Sequence, residues 1–173
     1  IFPVLLYLDL QVENMSRMYN WDKKYVIDKN SYSVTNPKRG TPQLKSGCNI
    51  YSDGSVLGPY RCGAAISVWK KVEEYGRPRE IPLPQHDKLR FYLNNSTIFQ
   101  CEIVGKTEAA NWLLTYAEQF GFRTAVINVD SQAAIKAVGS HTINSKLVYK
   151  AVHTLNCSAR KIEEQKIRRE KAQ

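Results

Sequence analysis

Three carboxylates in this 173-residue chain stand where acids can do chemistry: Asp53 in "NIYSDGSV", Glu102 in "FQCEIVGKTEAA" and Asp130 in "NVDSQAAIKAV". Asp53 lies in or at the end of a strand-like run, Glu102 near the start of a long helix, and Asp130 at the end of an apolar strand-like run. If those two strands are parallel neighbours, Asp53 and Asp130 emerge toward one edge of the sheet, and a helix crossing that sheet brings Glu102 over them. Hard divalent cations need such a convergence of carboxylate oxygens. Two metals roughly 4 Å apart would bind the attacking and leaving oxygens of an in-line phosphoryl displacement, and one would activate water. Asp-Gly is also ordinary turn chemistry, and the chain holds 16 acids, so the elements around the three decide the matter.

From Cys48 onward, "CNIYSD", "CGAAISVWKK" and "KLRFYLNN" read as three strands, rich in β-branched and aromatic residues. Between the second and third, "VEEYGRPREIPLPQHD" reads as a long exposed loop because of its three prolines and many charges. The spacing of Ile103, Ala110, Leu113, Leu114, Ala117 and Phe120 predicts an amphipathic helix ending near Gly121. "RTAVINVD" then reads as a buried strand and "SQAAIKAVGS" as a short helix capped by Ser131. Strand, helix, strand, helix implies a parallel pairing and an α/β sheet. Residues 144–171 read as helical to the end, with Glu164 and Arg168 as an i,i+4 pair.

"IYSDGS", "FQCEI" and "NVDSQAAIKAV" occur in the order, and with the strand and helix placement, of ribonuclease H domains. Over residues 48 to about 155 the chain resembles that family, most closely the versions carried by retrotransposon polyproteins and their cellular relatives. The resemblance implies an α/β ribonuclease H-like fold: three antiparallel strands, then a parallel strand, in a mixed sheet flanked by helices. It implies an endonuclease that hydrolyses the RNA strand of RNA–DNA hybrids with Mg²⁺, or Mn²⁺ in its place, leaving 5′-phosphate and 3′-hydroxyl ends. On this resemblance Asp53, Glu102 and Asp130 are the metal-binding and catalytic acids. Gly54 lets the backbone run close beside the first of them, Ser55 belongs to the same substrate-facing motif, and Gln132 falls where some members touch the minor groove. A hybrid is read there through 2′-hydroxyls, backbone and groove shape rather than base sequence. The family continues with a fifth strand, a histidine-bearing loop and a fourth acid on a last helix. Here stands "NCSARKIEEQKIRREKAQ", without a G-H-x-G or N-E-x-A-D pattern. The fifth strand is therefore expected to be missing, with an exposed edge beside the fourth. The alternative of a different class is a degenerate module that binds nucleic acid or a partner protein without cutting.

The formal charge of +9 favours a polyanionic partner, and the basic residues are densest in residues 159–173, which hold six Lys and Arg against three Glu. We expect residues 1–47 to be a linker or the remnant of a preceding domain, such as a reverse transcriptase in a parent polyprotein. Residues 48–158 would be the ribonuclease H-like domain and 159–173 a basic helical tail. Cys48, Cys62, Cys101 and Cys157 form no C-x-x-C pair, which suits free thiols in a reducing, intracellular setting. The apolar run "IFPVLLYLDL" is too short to span a membrane. Among further candidates, Glu108 lies six residues beyond Glu102, about 600° around the helix, and reads as a surface residue. Trp69 and Trp112 read as packing residues and His141 and His153 as surface or helix histidines. Glu163, Glu164 and Glu170 read as part of a solvated charged helix.

Overall fold

The computed structural model describes residues 4–6, 14–18, 25–28, 33–36, 47–84, 86, 88–129, 131–140 and 142–172. Its centre is a hairpin of two long strands, β5 (Gly47–Val56) and β6 (Cys62–Glu74), antiparallel from Gly47↔Lys71 to Val56↔Cys62. β8 (Leu89–Leu93) pairs antiparallel with the first half of β6, from Cys62↔Leu93 to Ile66↔Leu89. β9 (Thr124–Val129) lies parallel to β5, from Gly47↔Thr124 to Ser52↔Val129. This is the α/β mixed sheet expected, three antiparallel strands followed by a parallel one.

Residues 72–82 depart from the loop reading. β6 runs on to Glu74, turns through Tyr75 and Gly76, and returns as β7 (Arg77–Pro82), paired with β6 from Glu74↔Arg77 to Trp69↔Pro82. Both turn residues have positive φ, 53° and 73°, the geometry of a tight two-residue hairpin. Pro78 and Pro82 survive because β7 is exposed throughout and has no strand beyond it among the described residues.

The edge beside β9 also differs from expectation. Residues read as linker supply β1 (Val4–Leu6), β2 (Asn14–Met18), β3 (Val26–Asp28) and β4 (Ser33–Asn36). β4 pairs antiparallel with β9, from Ser33↔Asn128 to Asn36↔Ala125, and β3 pairs with β4. The place beside β9 is thus filled, from the other end of the chain and in the antiparallel sense. β1 lies parallel to β8 on the opposite edge. Short strands of unremarkable composition are recruited here because a sheet edge offers unpaired N–H and C=O groups. The sheet reads β1-β8-β6-β5-β9-β4-β3, with β7 beside β6; β10 (Thr142–Ser145) and β2 form a separate pair.

α1 (Ile98–Phe120) packs on β5 and β6, α3 (Lys146–Ala172) packs on α1, and α2 (Gln132–Gly139) touches both. α1 starts with a capping box: the Thr97 side chain accepts from Gln100 N–H, and the Gln100 side chain accepts from Thr97 N–H. It stops at Gly121, which takes the left-handed conformation at φ 70°. Between helices and sheet lie Ile50, Ile66, Ile103, Leu113, Ile127, Leu155 and Ile162, all essentially inaccessible. Burying each stabilises by about 1.5–3 kcal/mol before conformational entropy is set against it. Residues 159–172 are not a separate tail but the last turns of α3, with Ala159, Ile162 and Gln165 buried. Among the described residues no helix is long and apolar enough to cross a membrane.

Candidate active site

The strand period puts Ser52 and Gly54 of β5 on the helix-covered face, while Tyr51, Asp53 and Ser55 alternate onto the open face. The approach of α1 to β5 is closest at Gly54. A Cβ there would lie 2.7 Å from the amide nitrogen of Glu102 and 2.9 Å from the carbonyl carbon and Cβ of Cys101. Only glycine fits, and its bare backbone lets the Glu102 side chain reach across it. Gly54 N–H donates to Glu102 Oε1 at 3.0 Å. Glu102 is thereby fixed to the backbone of the residue next to Asp53, close enough for the Asp53 charge to act on its carboxyl, so two of the three predicted acids are neighbours at one end of β5.

Glu102 is 6% exposed. Burial pushes its carboxyl above the ordinary glutamate range; the Gly54 N–H and the Lys106 charge pull it down, and Asp53 pushes it further up. Its Oε2 has no hydrogen-bond partner among the described residues. The third acid, Asp130, lies outside the described residues. Val129, just before it, is paired with Ser52, just before Asp53. Gln132 is the exposed first residue of α2, whose N-cap Ser131 accepts from Ala134 N–H at 3.2 Å.

Lys106, which the motif reading passed over, is wholly buried one helical turn after Glu102. Its Nζ donates to the Glu102 backbone carbonyl at 2.9 Å and stands 3.8 Å from Glu102 Oε2. Burial lowers its pKa from 10.5 to about 8, against the opposing pull of Glu102 and Asp53. The i,i+4 spacing in "EIVGK" is the sequence signal that would have found it.

On the open face Asp53, Ala65 and Arg90 sit side by side across β5, β6 and β8. A cleft of about 430 Å³ there is lined by Asp53, Ser55, Tyr60, Arg61, Arg90 and Tyr92 among others. A second, of about 290 Å³, shares Asp53 and Arg90 and adds Tyr51 and Lys88. Guanidinium groups and tyrosine rings thus flank Asp53, a combination suited to phosphate and to an unstacked base or sugar face. Nothing in the short acid motifs marks these residues; only the pairing of strands gathers them.

The remaining candidates lie elsewhere. Glu108 is half-buried near Lys150 of α3; burial raises its carboxyl pKa, which Lys150 and Asn111 oppose. Trp112 packs in an aromatic cluster with His86, Tyr116, Phe120 and Phe122 and donates to His86 Nδ1 at 3.2 Å. Trp69 donates to Ser67 Oγ at 2.7 Å. Glu163, Glu164 and Glu170 ride the part of α3 anchored beside the far end of α1, through Lys161 to the Leu114 carbonyl and Arg169 to the Gly121 carbonyl. Gly121 is roughly 28 Å along the helix axis from Glu102, at 1.5 Å per residue. His141 lies outside the described residues, and His153 is on α3 with its Nε2 3.6 Å from Cys157 Sγ. The four cysteines are free thiols, three of them buried.

Among the described residues no group of three or more His, Cys, Asp or Glu side chains is placed to hold a metal ion. The chemistry of the neighbouring acids nonetheless fits one: Glu102, anchored beside Asp53 through the Gly54 N–H, keeps a buried carboxylate oxygen that lacks a hydrogen-bond donor and could serve a hard cation. Comparison with protein-family models, curated proteins and solved structures finds no match to the chain.

Proposed function

We propose that the protein is a metal-dependent endonuclease of the ribonuclease H type that hydrolyses the RNA strand of RNA–DNA hybrids and derives from a retroelement. The anchoring of Glu102 on the bare backbone of Gly54, next to Asp53, carries this reading. The strand order β8-β6-β5-β9, with a helix crossing from β8 to β9, supports it as the arrangement the motifs imply. Asp53, Glu102 and Asp130 would hold Mg²⁺, or Mn²⁺ in its place, which when bound supplies an activated water and charge neutralisation for phosphodiester hydrolysis.

The chain's own residues set the stage for that chemistry. The Gly54 N–H fixes the Glu102 carboxylate, so that one oxygen is held while the other stays open. Arg61 and Arg90 draw the phosphate backbone toward Asp53, and Tyr60 and Tyr92 offer apolar faces to the sugar and base. Ser55 near the end of β5 and Gln132 at the start of α2 are substrate contacts. The free thiols suit an intracellular, reducing compartment.

A second reading, a module that binds nucleic acid without cutting, is favoured by one observation: an ammonium already stands against Glu102. A labelled hybrid, titrated with salt and metal, tests both readings. Binding is expected to weaken steeply between about 50 and 200 mM salt, as counterion release requires. Cleavage is expected to be slow in Mg²⁺ and faster in Mn²⁺, which binds carboxylate sites more tightly in the divalent series. Binding with no cleavage in either metal would select the second reading. Failure to bind hybrid at low salt would defeat both.

A further inference from the structure

Lys106 has no route to water: its side chain is wholly buried, so its charged end is not carried to the surface on its flexible stem as a lysine's ordinarily is. A buried ammonium needs a countercharge, and the charged groups acting on this one are Glu102 and Asp53. The contact has a particular form. The hydrogen bond goes to the Glu102 backbone carbonyl at 2.9 Å, while the carboxylate oxygen Oε2 is 3.8 Å away, beyond hydrogen-bond length. The ammonium therefore opposes the charge of the carboxylates without occupying the lone pairs of Oε2, which stay unpartnered among the described residues. Three further residues shape the niche: Gly105 sets a small surface against Ser52 and Ala64, so α1 lies close to the sheet at the turn that carries Lys106.

We propose that Lys106 is a built-in counter-ion of Glu102, which holds that carboxylate in place beside Asp53 in the metal-free protein and weakens the site's grip on a divalent cation. The second half rests on the metal reading of the site; the first stands without it. A divalent ion coordinated by Oε2 would sit beside a fixed positive charge in a low-dielectric pocket, where repulsion over a few ångströms is poorly screened. Removing that charge is the way to a tighter metal site.

Two measurements on the full chain separate the halves. The first is a thermal-unfolding cycle in chelator at pH 7 with Glu102→Gln, Lys106→Met and the double variant; Lys106→Gln is carried in parallel so that a folding failure of one replacement leaves the other. The amide keeps the acceptor for Gly54 and removes only the charge. Glu102→Gln should lower Tm by roughly 6–12 °C while Lys106 is present, because it strands a buried ammonium, and should leave Tm unchanged or raised once Lys106 is replaced. The same loss in both backgrounds would overturn the counter-ion. The second is Mn²⁺ binding followed by electron paramagnetic resonance. Affinity should rise at least ~10-fold in Lys106→Met or Lys106→Gln over the natural chain. Equal, measurable affinities would overturn the weakening role. Binding by no variant would overturn that role together with the metal reading, leaving the cycle to decide the counter-ion.

Discussion

At the N-terminal end of α1 the Lys106 ammonium is wholly buried against Glu102, whereas at the other end Lys161 and Arg169 reach in from half-exposed positions on α3 to the carbonyls of Leu114 and Gly121. Both ends join a cation to an oxygen, yet they obey different rules. At the C-terminal end positive charge meets the negative pole of the helix, water still reaches the side chains, and desolvation is partial. At the N-terminal end Lys106 and Glu102 are taken out of water, and Asp53 pushes the Glu102 carboxyl further from its ordinary range. The first arrangement is a helix stop that many sequences could supply. The second is unfavourable for folding alone, which is why it marks the place where chemistry is to be sought.

The contrast breaks first at Asp53. Asp53→Asn keeps the side-chain shape, so the fold should persist with Tm within a few degrees, while metal-dependent hybrid cleavage falls at least ~100-fold. Undiminished cleavage by the purified variant would remove Asp53 from the site.

Next in size is the pH dependence of Lys106. Its native pKa of about 8 lies below the 10.5 of the exposed chain. Between those values the unfolded chain binds a proton that the native state has shed, so stability rises with pH across this window by about 3 kcal/mol relative to Lys106→Met. Urea unfolding of both proteins at pH 7.5 and 10.5 measures it. Parallel changes in the two proteins would show that the ammonium is not desolvated.

Gly54→Ala should cost about 1–3 kcal/mol by forcing α1 off β5, and should weaken metal binding as Glu102 is displaced. Denaturant unfolding and Mn²⁺ binding report the two effects separately; a stable variant with unaltered affinity would contradict the close approach. The smallest effect belongs to the other end of the helix: Arg169→Ala should cost only about 0.5–1 kcal/mol, with hybrid cleavage unaltered. A larger loss would mean that α3 depends on this contact to dock.

Much of this was legible before any coordinates. Strands β5, β6, β8 and β9 and the three helices follow from alternation, periodicity and caps, because those signals are local: Ser131 and Gly121 mark helix ends wherever they are placed, whereas β10 at Thr142–Ser145 gave no such signal. The motif "YSDGS" also carried its own logic, since the glycine after Asp53 is the point where the helix meets the strand. The hairpin at Tyr75–Gly76 was obscured because three prolines resemble a loop until the strand proves to be an edge. The strands before residue 47 were obscured because their pairing partners lie far along the chain, β4 against β9 and β1 against β8.

The sequence by itself determined which acids stand beside which elements, and with them the class of chemistry to be sought. Only the tertiary structure decided that Lys106 points inward to share its charge with Glu102, and that Arg61, Arg90 and the tyrosines gather around Asp53. The physical reason is one of range. Propensity and periodicity act over a few residues, but charge burial and strand register depend on what the rest of the fold packs around each side chain.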